Sequence, residues 1–251
     1  KIYNYALSET EVREKMHLIP SSPLSENGLL KYCQFNIYDT ASSISYELVN
    51  KNRLIIPDST YINNSGEAPV ATGLVKTLTA INSGGMKDFS GLGLKLFLKN
   101  SASGVVYPNG DLVAFRLRIP PYTKPENRLL KPDSNWFIIN NYGTNTTFTM
   151  PDSIRFENLS LANATYSPGY FKLFKRTNID HGNTWGNQLD SSDGYAFVTS
   201  NNSGSITFSW GNNLTSFGQL CIVATPLTDY HFIGNGNWSL STNWLNNTIP
   251  P

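Results

Sequence analysis

From Leu74 to Ala224 short apolar runs alternate with polar turns, and their spacing predicts a succession of strands. Leu74, Lys76, Leu78 and Ala80 recur at every second position, the period of a half-buried strand. After a turn at Ser83–Gly85, Gly91–Leu98 (GLGLKLFL) predicts another strand, whose glycines permit a bulge or a close backbone approach. Asn109-Gly110, inside Tyr107–Asp111, is a hairpin signal between two strand-like flanks. Leu112–Ile119 follows, with Arg116 and Arg118 on one face and Phe115, Leu117 and Ile119 on the other. Pro120–Pro132, rich in proline and charge, reads as a long loop, and Trp136–Asn140 as a continuously apolar central strand. Thr146–Thr149, Ser153–Phe156, Gly169–Lys175, Ala196–Thr199, Ser205–Trp210 and Gln219–Ala224 supply further strands. The pattern predicts an all-β protein: an antiparallel β-sandwich, jelly-roll-like, with one short amino-terminal helix. Trp136, Phe137, Ile139, Phe171, Leu173, Phe197, Phe208, Leu220 and Ile222 are its expected core.

The helix signal sits near the start. Ser8 and Glu11 have the spacing of a capping box, and Leu7 and Val12 that of a hydrophobic staple. His17 would face the negative end of the helix dipole, and Pro20 stops the run. Strand-like segments at Ile2–Tyr5 and Leu30–Phe35 flank the helix. Their edges need a cover, whether neighbouring protein or the central sandwich. Tyr46–Val49 and Leu54–Pro57 are further short strand candidates, and Tyr61–Pro69 has the polar composition of a linker. The expected organisation is a first unit at 1–56, a linker at 57–73, a central sandwich at 74–226 and the start of a following module, or a tail, at 227–251.

Composition narrows the function classes. Only 15% of the 251 residues are charged, and the formal net charge is +1, which offers no field for nucleic acid or an anionic membrane. No apolar run is long enough to span a bilayer as a helix, and no signal-peptide pattern opens the chain. Cys33 and Cys221 both lie in apolar strand-like runs, where a thiol behaves as a small hydrophobe; a disulfide between them stays open. Neither has metal-ligand spacing to a second Cys or His.

Candidate chemistry is sparse. His17, His181 and His231 share no motif, and no nucleophile elbow, HExxH or paired helical carboxylates occur. A hydrolytic carboxylate pair would have to come from Asp180, Asp190 and Asp193. Asp190–Gly194 has the oxygen density of a calcium loop but lacks an EF-hand's acidic ladder and closing Glu, so a solvated turn is the better reading and no cofactor or metal is expected. Trp136 and Trp210 lie in strand runs and read as core. Trp185, in a loop rich in glycine and asparagine, is the expected exposed platform for stacking a sugar, with Asn183 and Asp193 as polar partners. Trp238 and Trp244 read as packing residues of the tail. The many Asn-x-Ser/Thr matches, from Asn63 to Asn246, are those expected of so Asn-, Ser- and Thr-rich a chain.

Several stretches carry a family resemblance. The strand–helix–loop–strand order of Lys1–Asn36 resembles the last segment of a laminin-G-like, concanavalin A-type jelly roll, especially as found in large secreted proteins of Bacteroidota. Tyr107–Asp111, Trp136–Gly143, Phe171–Arg176 and Ser216–Gln219 are similar to a β-sandwich module of type IX-secreted surface proteins of that phylum. Gly236-Asn-Trp-Ser239 with Asn243-Trp244 and Ile249-Pro250-Pro251 is similar to the opening of another repeat module from such proteins. The resemblance implies an extracellular or cell-surface location and a non-enzymatic role as spacer and display scaffold for attachment or gliding. The partners it implies are adjacent domains of the same protein, surface glycans, and secretion or attachment machinery. Asp39-Thr-Ala, Asp58-Ser-Thr and Asp152-Ser-Ile match the short O-glycosylation pattern of such exports. The alternative is a carbohydrate-binding accessory module of an exported polysaccharide-degrading enzyme.

Overall fold

The apolar runs of period two become two facing antiparallel sheets. The computed structural model describes residues 1–39, 44–55, 70–121, 125, 131–149, 151–161, 171–176, 185, 197–202, 204–209, 214–224 and 232–244. In chain order the elements are β1 (Ile2–Tyr3), α1 (Glu9–Lys15), β2 (Leu29–Lys31), β3 (Cys33–Asp39), β4 (Ile44–Glu47), β5 (Arg53–Ile55), β6 (Gly73–Ile81), β7 (Gly85–Phe89) and β8 (Leu94–Leu98). They continue with β9 (Gly110–Leu117), β10 (Lys131–Pro132), β11 (Trp136–Asn141), β12 (Ser153–Phe156), β13 (Phe171–Arg176), β14 (Phe197–Asn202), β15 (Ser205–Ser209) and β16 (Gln219–Ala224). A six-stranded sheet runs β10-β16-β11-β9-β6, with β13 also on β16, and a five-stranded sheet runs β14-β15-β12-β8-β7. Because β13 pairs with β16 over the same residues that β10 and β11 use, β10 and β11 lie end to end along one side of β16 and β13 along the other.

The space between the sheets is filled from both sides. Leu112, Ala114, Phe137, Ile139, Leu173, Leu220 and Ile222 of one sheet meet Leu94, Leu96, Ile154, Phe156, Ile206 and Phe208 of the other. The Phe137 and Phe156 rings cross the gap edge to face at 4.9 Å. Each such fully buried side chain contributes about 1.5–3 kcal/mol of transfer free energy. Every expected core residue whose side chain is described is buried; that of Phe197 lies outside the described part. Arg116 fastens the sandwich at one end: from β9 it donates to the carbonyls of Leu92 (3.0 Å), Glu157 (3.1 Å) and Asn158, and to Asn135 Oδ1 (2.9 Å). Nearby, buried Asp133 accepts from the Asn135 and Leu161 amides, the Asn135 side chain and Ser160 Oγ.

The second face of the six-stranded sheet is covered too. Val113, Phe115, Leu117, Trp136, Ile138, Cys221 and Val223 form a second buried layer with Ala71 and Trp185, and Leu18 packs against it. Burial on both faces is why β11 and β16 read as unbroken apolar runs. Expected core residue Trp136 belongs to this outer layer rather than to the space between the sheets. The Cys33 and Cys221 thiols are both free, and burial pushes that of Cys221 far up in pKa.

Several local expectations are corrected. The glycines of GLGLKLFL belong to the turn that joins β7 to β8, with positive φ at Gly91 (86°) and Gly93 (67°), and the strand begins only at Leu94; the expected close approach is met at Gly93, where a Cβ would stand 2.8 Å from the Glu157 carbonyl oxygen. Asn109-Gly110 does not turn a hairpin, since the neighbours of β9 are β6 and β11. Asn109 instead binds across the sheet end, donating to Thr144 Oγ (2.6 Å) and accepting from the Asn145 amide (2.6 Å). Thr146–Thr149 is not a strand; it is held by Phe148 N–H to Thr215 O and by insertion of the Phe148 ring into the core. At Ile2 and Leu30 the pairing among the described residues comes from neither neighbouring protein nor the sandwich: β1 and β2 pair with each other, Ile2 with Lys31 and Tyr3 with Leu29, which covers one edge of each. A separate three-stranded sheet, β3-β4-β5, follows.

Candidate functional site

The side chain expected to lie open to solvent is enclosed. Trp185 is only 8% exposed, and it closes the outer layer of the six-stranded sheet. The Arg176 guanidinium lies 4.5 Å from the Trp185 ring centre and 5.2 Å from that of Trp136, a cation in contact with two indoles. Arg176 Nε donates to Gln219 Oε1 (2.8 Å), so β13 and β16 position the cation and Trp185 caps it. A covered ring offers no stacking platform, and that expectation for Trp185 is corrected. The intended partners Asn183 and Asp193 lie outside the described residues, as do Asp180, Asp190, His181, His231 and Trp210.

A second constellation joins the amino-terminal segment to the sandwich. Ser8 and Glu11 form the expected capping box: Glu11 N donates to Ser8 Oγ (3.2 Å), and Ser8 N to Glu11 Oε2 (2.8 Å). The Ser8 amide and hydroxyl and the Tyr5 hydroxyl hold the Glu11 carboxyl below the usual carboxylate range. Val12, the expected staple residue, is 51% exposed. Arg13 lies over the Tyr142 ring at 4.1 Å and pairs with Asp111 at 3.1 Å, while Glu14 accepts from Thr77 Oγ. His17 is buried edge to face against Phe115 at 4.8 Å, with Nε2 3.2 Å from Asn140 Nδ2. Backbone bonds Ile19 N to Ala71 O (2.9 Å) and Ala71 N to His17 O (3.1 Å) complete the seam.

Beside this seam lies a groove of about 670 Å³ whose lining includes Lys1, Glu14, Lys15, Glu26, Thr72 and Arg118. Its charges are of both signs and are partly spent on each other. Glu26 accepts from Lys15 Nζ (2.7 Å) and Tyr3 OH (2.9 Å), and these bonds, that from Lys15 foremost, hold its carboxyl below the usual range. Among the described residues no group of three His, Cys, Asp or Glu side chains is placed to hold a metal ion.

The third constellation is aromatic and lies in the tail. Phe232 and Trp238 stack with centroids 5.0 Å apart and planes 14° from parallel. Trp244 stands nearly perpendicular to both, 5.2 Å from Phe232 and 5.3 Å from Trp238. Trp244 is buried, as its reading as a packing residue requires, but Trp238 is 65% exposed. Sequence reasoning placed the exposed indole in the wrong loop. No local signal separates the two rings, since Asn-Gly-Asn-Trp-Ser around Trp238 is no more polar than Asn-Thr-Trp-Gly-Asn around Trp185. No helix among the described residues is long and apolar enough to cross a membrane. No family model matches the chain, and neither does any curated protein or solved structure.

Proposed function

We propose that this chain is a non-enzymatic structural and adhesive module of a large secreted or cell-surface protein, where it acts as a rigid spacer and display scaffold. The observation that carries the reading is the seam between the amino-terminal segment and the sandwich. Residues 13–19 engage β6, β9 and β11 through an ion pair, a cation–π contact, a buried His–Asn contact and backbone bonds. A segment fixed in this way has little freedom to swing, so it transmits orientation from one part of a protein to the next. Burial on both faces of the six-stranded sheet adds stiffness. The resemblance of Lys1–Asn36 and of the sandwich motifs to type IX-secreted surface proteins of Bacteroidota supports an extracellular setting and a role in attachment or gliding.

The test is replacement within the parent protein. Exchanging residues 74–226 for a flexible glycine–serine linker of equal reach should abolish cell attachment, while the neighbouring domains still bind their ligands in solution. Undiminished attachment with the linker would overturn the spacer reading. A second reading, a carbohydrate-binding accessory module, is favoured by one observation alone, the exposed indole of Trp238.

A further inference from the structure

The three ring centroids of the tail cluster are separated by 5.0, 5.2 and 5.3 Å, a nearly equilateral triangle. That geometry places Trp244 beside the Phe232–Trp238 stack, against the edges of both rings. A ring lying beyond Trp238 would be about twice as far from Phe232 as Trp238 is, since stacked spacings add. Phe232 therefore covers one face of the Trp238 indole, and neither aromatic partner covers the other. The 65% exposure of the residue agrees.

The loop holds this ring still. Trp244 Nε1 donates to the carbonyl of Trp238 (2.8 Å), and Asn243 Nδ2 to the carbonyl of Asn237 (2.8 Å). Asn237 Oδ1 accepts both the amide (2.9 Å) and the hydroxyl (2.8 Å) of Ser239. Backbone bonds from Ile233 and Gly234 to Asn243 O close the base. A surface ring anchored in this way binds with little further loss of freedom. The loop itself is neutral, since residues 232–244 contain no Asp, Glu, Lys, Arg or His. The adjoining side chains are short amides and hydroxyls, and Gly236, at φ 114°, has open space where a Cβ would stand.

We propose that the free face of Trp238 is a binding platform for an uncharged pyranose sugar, stacked through its apolar C–H face, with its hydroxyls reaching the Asn235–Ser239 rim. A sugar ring matches the site in being flat and uncharged, with one apolar face and a hydroxyl-bearing edge. The inference rests on the accessory-binding reading and is independent of the spacer role, so the failure of one leaves the other standing.

The experiment screens the full chain, as wild type and as Trp238→Ala and Trp238→Phe, on an array of neutral oligosaccharides of glucose, xylose, mannose and galactose. Hits are quantified by calorimetry, and near-ultraviolet circular dichroism checks that the folded signal persists. Wild type should bind at least one glycan, Trp238→Ala should lose roughly tenfold or more of that affinity, the scale on which stacked ligands depend on their aromatic platform, and Trp238→Phe should retain most of it. Equal binding by Trp238→Ala, or no binding by wild type at millimolar glycan, would overturn the proposal. Concentration-dependent self-association that Trp238→Ala abolishes, seen in sedimentation without glycan binding, would reassign the ring to a protein contact and overturn it as well. Ile233 and Leu240, 62% and 52% exposed, make that comparison necessary.

Discussion

Asn140 Nδ2 lies 3.2 Å from His17 Nε2, a buried contact between the end of the amino-terminal helix and the middle strand of the six-stranded sheet, 123 residues apart in the chain. The sheet strand supplies the amide on its outer face, and Phe115 supplies the apolar wall against which the imidazole lies edge on. Replacing Asn140 by Leu leaves a buried imidazole nitrogen without this partner, at about 1–3 kcal/mol. The expected result is faster amide hydrogen exchange across residues 9–19, with protection of 112–117 retained. Uniform loss of protection throughout would show that the seam does not open separately from the sandwich.

Arg116 is the stronger fastener. Arg116→Leu removes donors from three backbone carbonyls and from Asn135 and should lower stability by about 3 kcal/mol. Arg116→Lys should recover only part of that, because one ammonium cannot reproduce the guanidinium fork. Urea denaturation of the two variants gives the comparison, and equal stability of Arg116→Lys and wild type would refute the role.

Trp185 and Trp238 should separate stability from binding. Trp185→Ala opens the outer layer above Arg176 and Trp136 and is expected to cost about 3 kcal/mol. Trp238→Ala loses one stacked and one edge contact at the surface, about 1 kcal/mol. Thermal unfolding should therefore show a clearly larger fall in Tm for Trp185→Ala. The reverse order would mean that the tail cluster, not Trp185, supports the fold.

Acid should loosen the amino-terminal side first. Burial pushes the Glu47 carboxyl up, but hydrogen bonds from the backbone amides of Tyr32, Asn50 and Val49 outweigh this and hold it below the usual range. Glu11 and Glu26 are depressed as well. A carboxyl with a depressed folded pKa stabilises above its unfolded pKa, and that contribution fades as pH falls through the folded value, here below the ordinary Glu pKa of about 4.3. Exchange across residues 1–33 and 47–50 should accelerate between neutral pH and roughly pH 3, after correction for intrinsic rates, while β9 and β11 remain protected. Glu26→Gln should reduce the pH dependence at residues 1–33, and an unchanged profile would count against the assignment.

The all-β sandwich, the capping box and the two-residue alternation were legible in the chain, because strand pleat and helix capping are local and write their period into nearby residues. The apolar run of Trp136–Asn140 likewise announced a central strand. Sequence could not say which face of that strand met the other sheet, so Trp136 was grouped with Phe137 although the two point into different layers. Asn109-Gly110 has the chemistry of a hairpin, yet Asn109 bonds to Thr144 and Asn145 because β11 returns alongside β9. The loop tryptophans show the same limit. Trp185 and Trp238 both sit in stretches rich in glycine and asparagine, and local polarity does not tell which of the two rings is buried. Only the tertiary structure brings Arg176 and Trp136 to Trp185 and leaves one face of Trp238 without an aromatic cover. Local propensity determined the kinds of element in this protein; burial, which depends on residues far apart in the chain, decided which side chains remain available for function.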